Sequence, residues 1–390
     1  MRADELLQAI GEVDEVLIER AAKKDRSHLV RWGALAAMLM LVIGLSLFVF
    51  RDVKQDETAK PQTMSDIRMA FLTSDPYDRE LQEHIMQYEQ LSCTTYSPEI
   101  DSLDDRVKAI ERAIGDGCNV VFCNGYEYAG ALLEIADEYP DVKLIGMNIS
   151  NDDLYWSGSY DFSQPKPENI LQELELNNVL CVSYQNEIAG YLAGYVAVRE
   201  GYHSLGYYCD MMVPQTIDYG NGYLLGAQAA AQEMQKTDEV IVKVSSYGMF
   251  ASGEASPILK EINLWHQGGT QLVLAVGPLT LNAAEELPMT VIAAANHPQQ
   301  AQSPLIYLKQ DTIIVVEQLM EELLSDRFEG GKLCEVPYHQ LSDADGDWSF
   351  QSVTQKECRS VLQELIDGTR TCPKYDYLQE ENYSIHVIFE

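Results

Sequence analysis

From residue 67 onward the chain alternates short apolar runs with longer stretches whose apolar positions recur every three or four residues. Runs of five or six residues read as strands and the longer periodic stretches as helices. Strands are predicted at 68–73, 119–124, 143–148, 179–184, 204–209, 240–245, 271–276, 291–296 and 305–309. Helices are predicted at 79–90, 103–115, 128–138, 186–200, 222–235, 257–267 and 312–324. Such alternation predicts an α/β fold with parallel sheets covered by helices on both faces. Two sheets in succession predict a two-lobed domain at 66–390, with lobe 1 mainly 66–184 and lobe 2 mainly 204–304. A ligand cleft belongs at the carboxyl ends of the strands. Residues 305–390 supply crossovers and a C-terminal extension, with helical spacing at 352–368 and a last strand within 383–389.

The N-terminal part has a different pattern. Residues 32–50 read WGALAAMLMLVIGLSLFVF, without a charge. At 1.5 Å per residue this run is roughly 28 Å long, close to the ~30 Å hydrocarbon core, and predicts one transmembrane helix. A cleaved signal peptide has a short leader, a shorter apolar run and a small-residue cleavage site. Here 31 residues precede the run and it ends Phe48-Val49-Phe50-Arg51. Arg20, Lys23, Lys24, Arg26 and Arg31 precede it, against Arg51, Lys54 and Lys60 after it. That bias places the N-terminus in the cytoplasm and the large domain outside, at the cell membrane. Within residues 1–31, Leu6, Leu7, Ile10, Val13, Val16 and Leu17 form an amphipathic stripe, a candidate contact for a cytoplasmic signalling partner. Residues 51–65 are polar, include Pro61, and read as a linker.

Composition narrows the function classes. A formal net charge of −34 disfavours nucleic acid and anionic lipid headgroups as partners. The eight cysteines include no C-x-x-C pair, and several sit in apolar runs, so they read as buried free thiols rather than a zinc site or a disulfide framework. The histidines are scattered, without metal-ligand spacing. Asp343-Ala344-Asp345-Gly346-Asp347 resembles half a calcium loop, but its twelfth position is Thr354, not a bidentate glutamate. Gly220, Gly222 and Gly226 lack dinucleotide-loop spacing, so no cofactor is expected. Glu187 reads as a helix-start residue. No nucleophile elbow, phosphate loop or acid/base set can be assembled, so the chain does not read as an enzyme.

Five segments carry a resemblance. They are 117–126 (GCNVVFCNGY) leading into 136–143 (ADEYPDVK), 187–194 (EIAGYLAG), 219–226 (YGNGYLLG) and 327–332 (RFEGGK). In this order and spacing the chain resembles the basic membrane protein family of substrate-binding proteins, over roughly 67–332. That family includes purine-nucleoside receptors of ABC transporters and a membrane-linked competence regulator. The resemblance implies a two-lobed, type I periplasmic-binding-protein-like fold and a ligand cleft.

It also implies site residues. Asp75, Tyr77 and Asp78 occupy the family's first binding loop, where Tyr77 would stack on a base and the two aspartates would bond its edge. Asn124 ends a lobe 1 strand with Gly125 next to it, and Gly277 follows a lobe 2 strand. Tyr219 would stack on the opposite face, and Lys309 matches a lysine that reaches ribose hydroxyls. The family's ribose-binding carboxylate is missing or replaced by Asn296, within Ala293-Ala294-Ala295-Asn296-His297, and Gly130 stands where many relatives carry an acid. The expectation is a membrane-anchored receptor for a small, nucleoside-like ligand, serving uptake with an ABC permease, or sensing. The alternative is a regulatory membrane protein that keeps the receptor fold with altered or lost ligand binding.

Overall fold

The computed structural model describes residues 67–73, 78–88, 91–161, 163–248, 256–294, 306–308, 312–338 and 352–390. The predicted transmembrane helix at 32–50, the amphipathic segment and the linker lie outside these residues. Among the described residues no helix is long and apolar enough to cross a membrane.

Among the described residues the strands form two six-stranded sheets. In lobe 1 these are β1 (Ile67–Thr73), β2 (Leu91–Tyr96), β3 (Val120–Asn124), β4 (Lys143–Met147), β5 (Val179–Tyr184) and β11 (Lys332–Val336), in the order β11-β5-β4-β3-β1-β2. In lobe 2 they are β6 (Ser204–Cys209), β7 (Ile241–Ser246), β8 (Leu272–Val276), β9 (Thr290–Ala294), β10 (Ile306–Tyr307) and β12 (His386–Phe389), in the order β10-β9-β8-β6-β7-β12. Every pairing is parallel.

The period of two explains the apolar runs. In β1, Ala70 and Leu72 join one core layer while Met69 and Phe71 join the layer on the opposite face. In β3, Val121 and Cys123 alternate with Val120 and Phe122 in the same way. A strand buried on both faces has no polar side to show, which is why it reads as a continuous apolar run. The stacked rings of Phe71 and Phe122, 5.5 Å apart, join neighbouring strands on one face.

The lobe 1 helices are α1 (Arg79–Ile85), α2 (Leu103–Gly115), α3 (Ala129–Ala136), α4 (Asn151–Trp156) and α5 (Ile170–Glu173). Lobe 2 has α6 (Asn186–Arg199), α7 (Pro214–Glu233), α8 (Ser256–Gln267) and α9 (Pro278–Glu285). Later in the chain, α10 (Thr312–Leu324) packs onto the core of lobe 1 and α11 (Gln355–Ile366) onto that of lobe 2. The chain thus passes between lobes at β5–α6, at β10–α10 and between β11 and α11.

The sequence pattern misses β2 and β11. Both are half-exposed strands without an apolar run, β2 at the sheet edge in LSCTTY and β11 in KLCEV at the other edge. The helix expected at 222–235 starts instead at Pro214. Proline suits the first helical position, and the Thr216 hydroxyl closes the turn by accepting from Val213 N at 2.9 Å and donating to Met211 O at 2.7 Å. All eight cysteines are free thiols, five of them buried. Thr354, where a calcium loop would need glutamate, is the N-cap of α11, and its side chain accepts from Glu357 N.

Candidate functional site

A chain of buried polar side chains runs along the carboxyl ends of β1, β3 and β4. Thr73 donates its hydroxyl proton to Asp78 Oδ2, and Asn124 Nδ2 donates to the same oxygen at 2.6 Å. Asn148 Nδ2 in turn donates to Asn124 Oδ1 at 2.9 Å. Asp78, Asn124 and Asn148 are only 5%, 6% and 8% exposed. Buried amides and carboxylates are costly unless bonded, and here each bond also fixes the next group. Because Asn124 gives its nitrogen to a carboxylate and its oxygen to an N–H donor, its amide orientation is set. Asn148 follows β4 at φ 58°, a left-handed conformation that asparagine tolerates.

Lobe 2 meets this chain directly. Gln215, in the first turn of α7, donates Nε2 to the Asn148 carbonyl. Beside it, Tyr126 Oη lies 3.1 Å from Met211 Sδ. The two lobes therefore touch across the carboxyl edge of lobe 1, where open α/β sheets place ligands.

Matching glycines mark the two halves. Gly125 follows β3 at φ 126° and Gly277 follows β8 at φ 101°, backbone angles where a side chain is strained. A Cβ on Gly277 would also fall 2.4 Å from the Asp210 carboxyl carbon. Asp210 cradles the start of α9, accepting from Thr280 N at 2.7 Å, Thr280 Oγ1 at 2.6 Å and Leu279 N at 3.1 Å. Burial raises its pKa, and these bonds oppose the rise.

Of the expected site residues, Asp78 and Asn124 are thus joined by a hydrogen bond, Gly125 adjoins them, and Gly277 occupies the lobe 2 position opposite in kind. Tyr219 lies inside α7, not in a loop, and is 7% exposed within the lobe 2 core. Asp75, Tyr77, Asn296 and Lys309 lie outside the described residues. Sequence reasoning missed Asn148, Asp210 and Gln215. Asn148 and Asp210 each stand one residue past a strand, a signal available in the sequence, whereas Gln215 depended on knowing where α7 starts.

A cavity of about 220 Å³ opens beside the polar chain, with Ser150 and Asp152 from lobe 1, Gln215 and Asp218 from lobe 2, and Lys374 in its lining. Lys374 Nζ lies 2.6 Å from Glu335 Oε1, 3.3 Å from Glu187 Oε2 and 3.4 Å from Asp218 Oδ2. Burial pushes Asp218 up to about 7, with Lys374 opposing and Glu187 reinforcing the rise. Burial likewise raises Glu187. Lys374 is held above its ordinary range, burial being outweighed by the surrounding carboxylates. Glu187 is the helix-start acid expected from the sequence; its lysine partner was not legible there. Among the described residues no group of acidic, histidine or cysteine side chains could hold a metal ion.

Two parallel sheets, three crossings and a polar seam at the strand ends define a two-lobed ligand-binding protein. The family of PnrA-like ABC transporter substrate-binding proteins, Bmp, matches residues 72–280, more than half of the chain, and the chain belongs to it. Among solved structures it is similar to an ABC transporter solute-binding protein from Aeropyrum pernix K1, at 15% identity and a TM-score of 0.61, covering 80% of this chain and 94% of that one. It is similar to an ABC transporter solute-binding protein from Conexibacter woesei DSM 14684, at 16% identity and a TM-score of 0.55, covering 79% and 99%. It is also similar to a transcriptional activator of the comK gene from Bacillus halodurans, at 13% identity and a TM-score of 0.52, covering 77% and 96%. At these identities the likeness is one of fold. No protein with a curated description matches the chain. The family and the first two of these structures are solute-binding proteins rather than enzymes.

Proposed function

We propose that this protein is a membrane-anchored, extracytoplasmic receptor that closes two lobes on a small, flat, nucleoside-like ligand and presents it to an ABC permease or reports its presence. The observation that carries this reading is the buried Asp78–Asn124–Asn148 chain at the seam where Gln215 of lobe 2 arrives. An amide held by a carboxylate offers a fixed polar edge to a heterocycle, and a lost charge-assisted bond weakens binding by up to ~3 kcal/mol. Asp75, Tyr77, Asn296 and Lys309 complete the site in this reading, with Tyr77 stacking on the ring. Tyr219 shapes the lobe 2 wall from within its core.

A thermal-shift panel of nucleosides with the full chain tests the ligand. At least one nucleoside at millimolar concentration should raise the melting temperature of the wild type and not that of Asn124→Leu. The ligand reading fails if no nucleoside stabilises the wild type.

The anchor rests on the apolar run at 32–50 and its basic N-terminal flank. Alkaline extraction of membranes should leave the chain in the pellet, and protease added to intact cells stripped of their outer layers should remove 66–390 while sparing 1–31. Release by carbonate, or protection of the large domain, would reject the anchor or its orientation. A regulatory role is favoured by one feature, the amphipathic stripe at 6–17 ahead of the span. A pulldown with residues 1–31 that recovers a specific cytoplasmic protein supports signalling; recovery equal to a scrambled peptide supports simple tethering.

A further inference from the structure

The C-terminal segment is built onto lobe 2 yet reaches lobe 1 twice. Its footing in lobe 2 is firm. Arg370 pairs with Glu233 at 3.0 Å and Glu364 at 2.9 Å, Asn221 Nδ2 donates to Pro373 O at 2.6 Å, and Tyr383 Oη donates to Asn221 Oδ1 at 3.0 Å. Cys372, Tyr375 and Leu378 pack against the lobe 2 core. From this footing Lys374 reaches Glu335 of β11, in the lobe 1 sheet, at 2.6 Å. Two residues on, Asp376 accepts from Lys166 of lobe 1 at 3.3 Å, and Lys166 also holds Asp152 of α4 at 2.6 Å. The two ties have opposite polarity, so the segment engages lobe 1 in one register.

The place of these ties matters. Glu335 is next to the β5 and β11 crossovers, which are themselves joined where Gln185 N donates to Val336 O at 3.1 Å and Tyr338 N to Gln185 Oε1 at 3.3 Å. Glu187 comes from the first turn of α6 and Asp218 from the second turn of α7, both in lobe 2. One ammonium group therefore sits among three carboxylates supplied by both lobes, beside the hinge. Removing it would leave those carboxylates facing one another across the lobe boundary. The adjoining cavity, lined from both lobes, gives the boundary room to move without rebuilding either core.

We propose that residues 372–378 form a strap across the lobe boundary and that Lys374 is its fastener, setting how readily the lobes separate. This goes beyond the ligand reading and holds whatever small molecule the cleft takes. In a protein of this family a strap at the hinge shifts the balance between open and closed lobes, and so the fraction of molecules ready to retain ligand.

Hydrogen exchange on the full chain tests it without any ligand. Wild type, Lys374→Met, Lys374→Arg and Glu335→Gln are compared in peptides covering 148–157 and 211–219, at the boundary, and in peptides covering β3 and β8, in the lobe interiors. Lys374→Met should speed boundary exchange by about threefold or more and leave β3 and β8 unchanged, as expected for losing a partly exposed ion-pair network. Lys374→Arg should keep the wild-type pattern. Glu335→Gln, which cuts only the lobe 1 arm of an exposed side chain, should move in the same direction as Lys374→Met and secures the test should that variant fail to fold. Unchanged boundary exchange in both Lys374→Met and Glu335→Gln would overturn the proposal. So would an equal rise in β3 and β8, because that marks general destabilisation rather than freer lobes.

Discussion

Asp153 shows how single buried acids shape the behaviour of this protein. It is 4% exposed at the start of α4, where its Oδ2 accepts from Ser150 N at 2.8 Å and from Ser150 Oγ at 2.6 Å. Burial outweighs those bonds and pushes its carboxyl from 3.8 up to about 7. Asp218 is pushed to about 7 as well, and Glu187 and Asp210 are raised. A raised acid binds more protons folded than unfolded, so folding stability falls as pH rises from about 4 to about 7. Asp105, Asp161, Glu357 and Asp367 are lowered by hydrogen bonds, and their contribution is lost only as pH falls below about 4. Thermal melts should therefore peak near pH 5 and drop by several degrees toward pH 8. For a fully buried group, a rise from 3.8 to about 7 corresponds to roughly 4 kcal/mol at most. Asp153→Asn, which keeps an oxygen for Ser150, should flatten this slope. A melt that rises steadily from pH 5 to pH 8 would contradict the assignment.

At the scale of elements, α6 and α7 stand out for how closely their backbones approach. Gly190 and Gly194 on one helix face Gly222 and Gly226 on the other. A Cβ on Gly222 would fall 1.9 Å from Glu187 O, and one on Gly226 1.9 Å from Tyr191 O. Gly190 and Gly194 would meet Tyr219 O and Tyr223 O at 2.1 and 2.0 Å. Paired small residues four apart permit such contact, and they place Glu187 and Asp218 side by side at the cleft end of both helices. Gly222→Ala should destabilise by more than about 3 kcal/mol in denaturant unfolding, since rigid backbone cannot yield. Gly115→Ala, whose added methyl meets nothing within 4 Å at the end of α2, should be neutral or stabilising by up to about 1 kcal/mol. Nearly every strand buried on both faces was legible in the sequence, because burial on both faces forbids polar residues, whereas the packing role of the four glycines was not. The half-exposed strands β2 and β11 were not, since LSCTTY and KLCEV mix polar and apolar positions without a run. The start of α7 was missed because Asn and Gly among residues 219–222 suggest a turn, whereas the two glycines serve packing: Gly220 against Tyr207 and Leu378, Gly222 against α6.

For the whole molecule, the two lobes are tied at three levels: by the crossovers, by the polar seam, and by the C-terminal strap. Family and fold could be anticipated from ordered motifs, and Asn124 stands at a strand end that an apolar run reveals; its hydrogen bond to Asp78, the N-cap of α1, could not. Lys374 could not, since its partners lie far apart in sequence and meet only once both lobes are assembled. In the proposed function the seam containing Asn124 binds a nucleoside-like molecule. Titration calorimetry of the full chain with a purine nucleoside tests it most directly, run on wild type and on Asn124→Leu. The wild type should show one saturable site and the variant at least a tenfold loss of affinity, the equivalent of about 1.4 kcal/mol. Absence of binding by the wild type, or equal binding by both proteins, would contradict it.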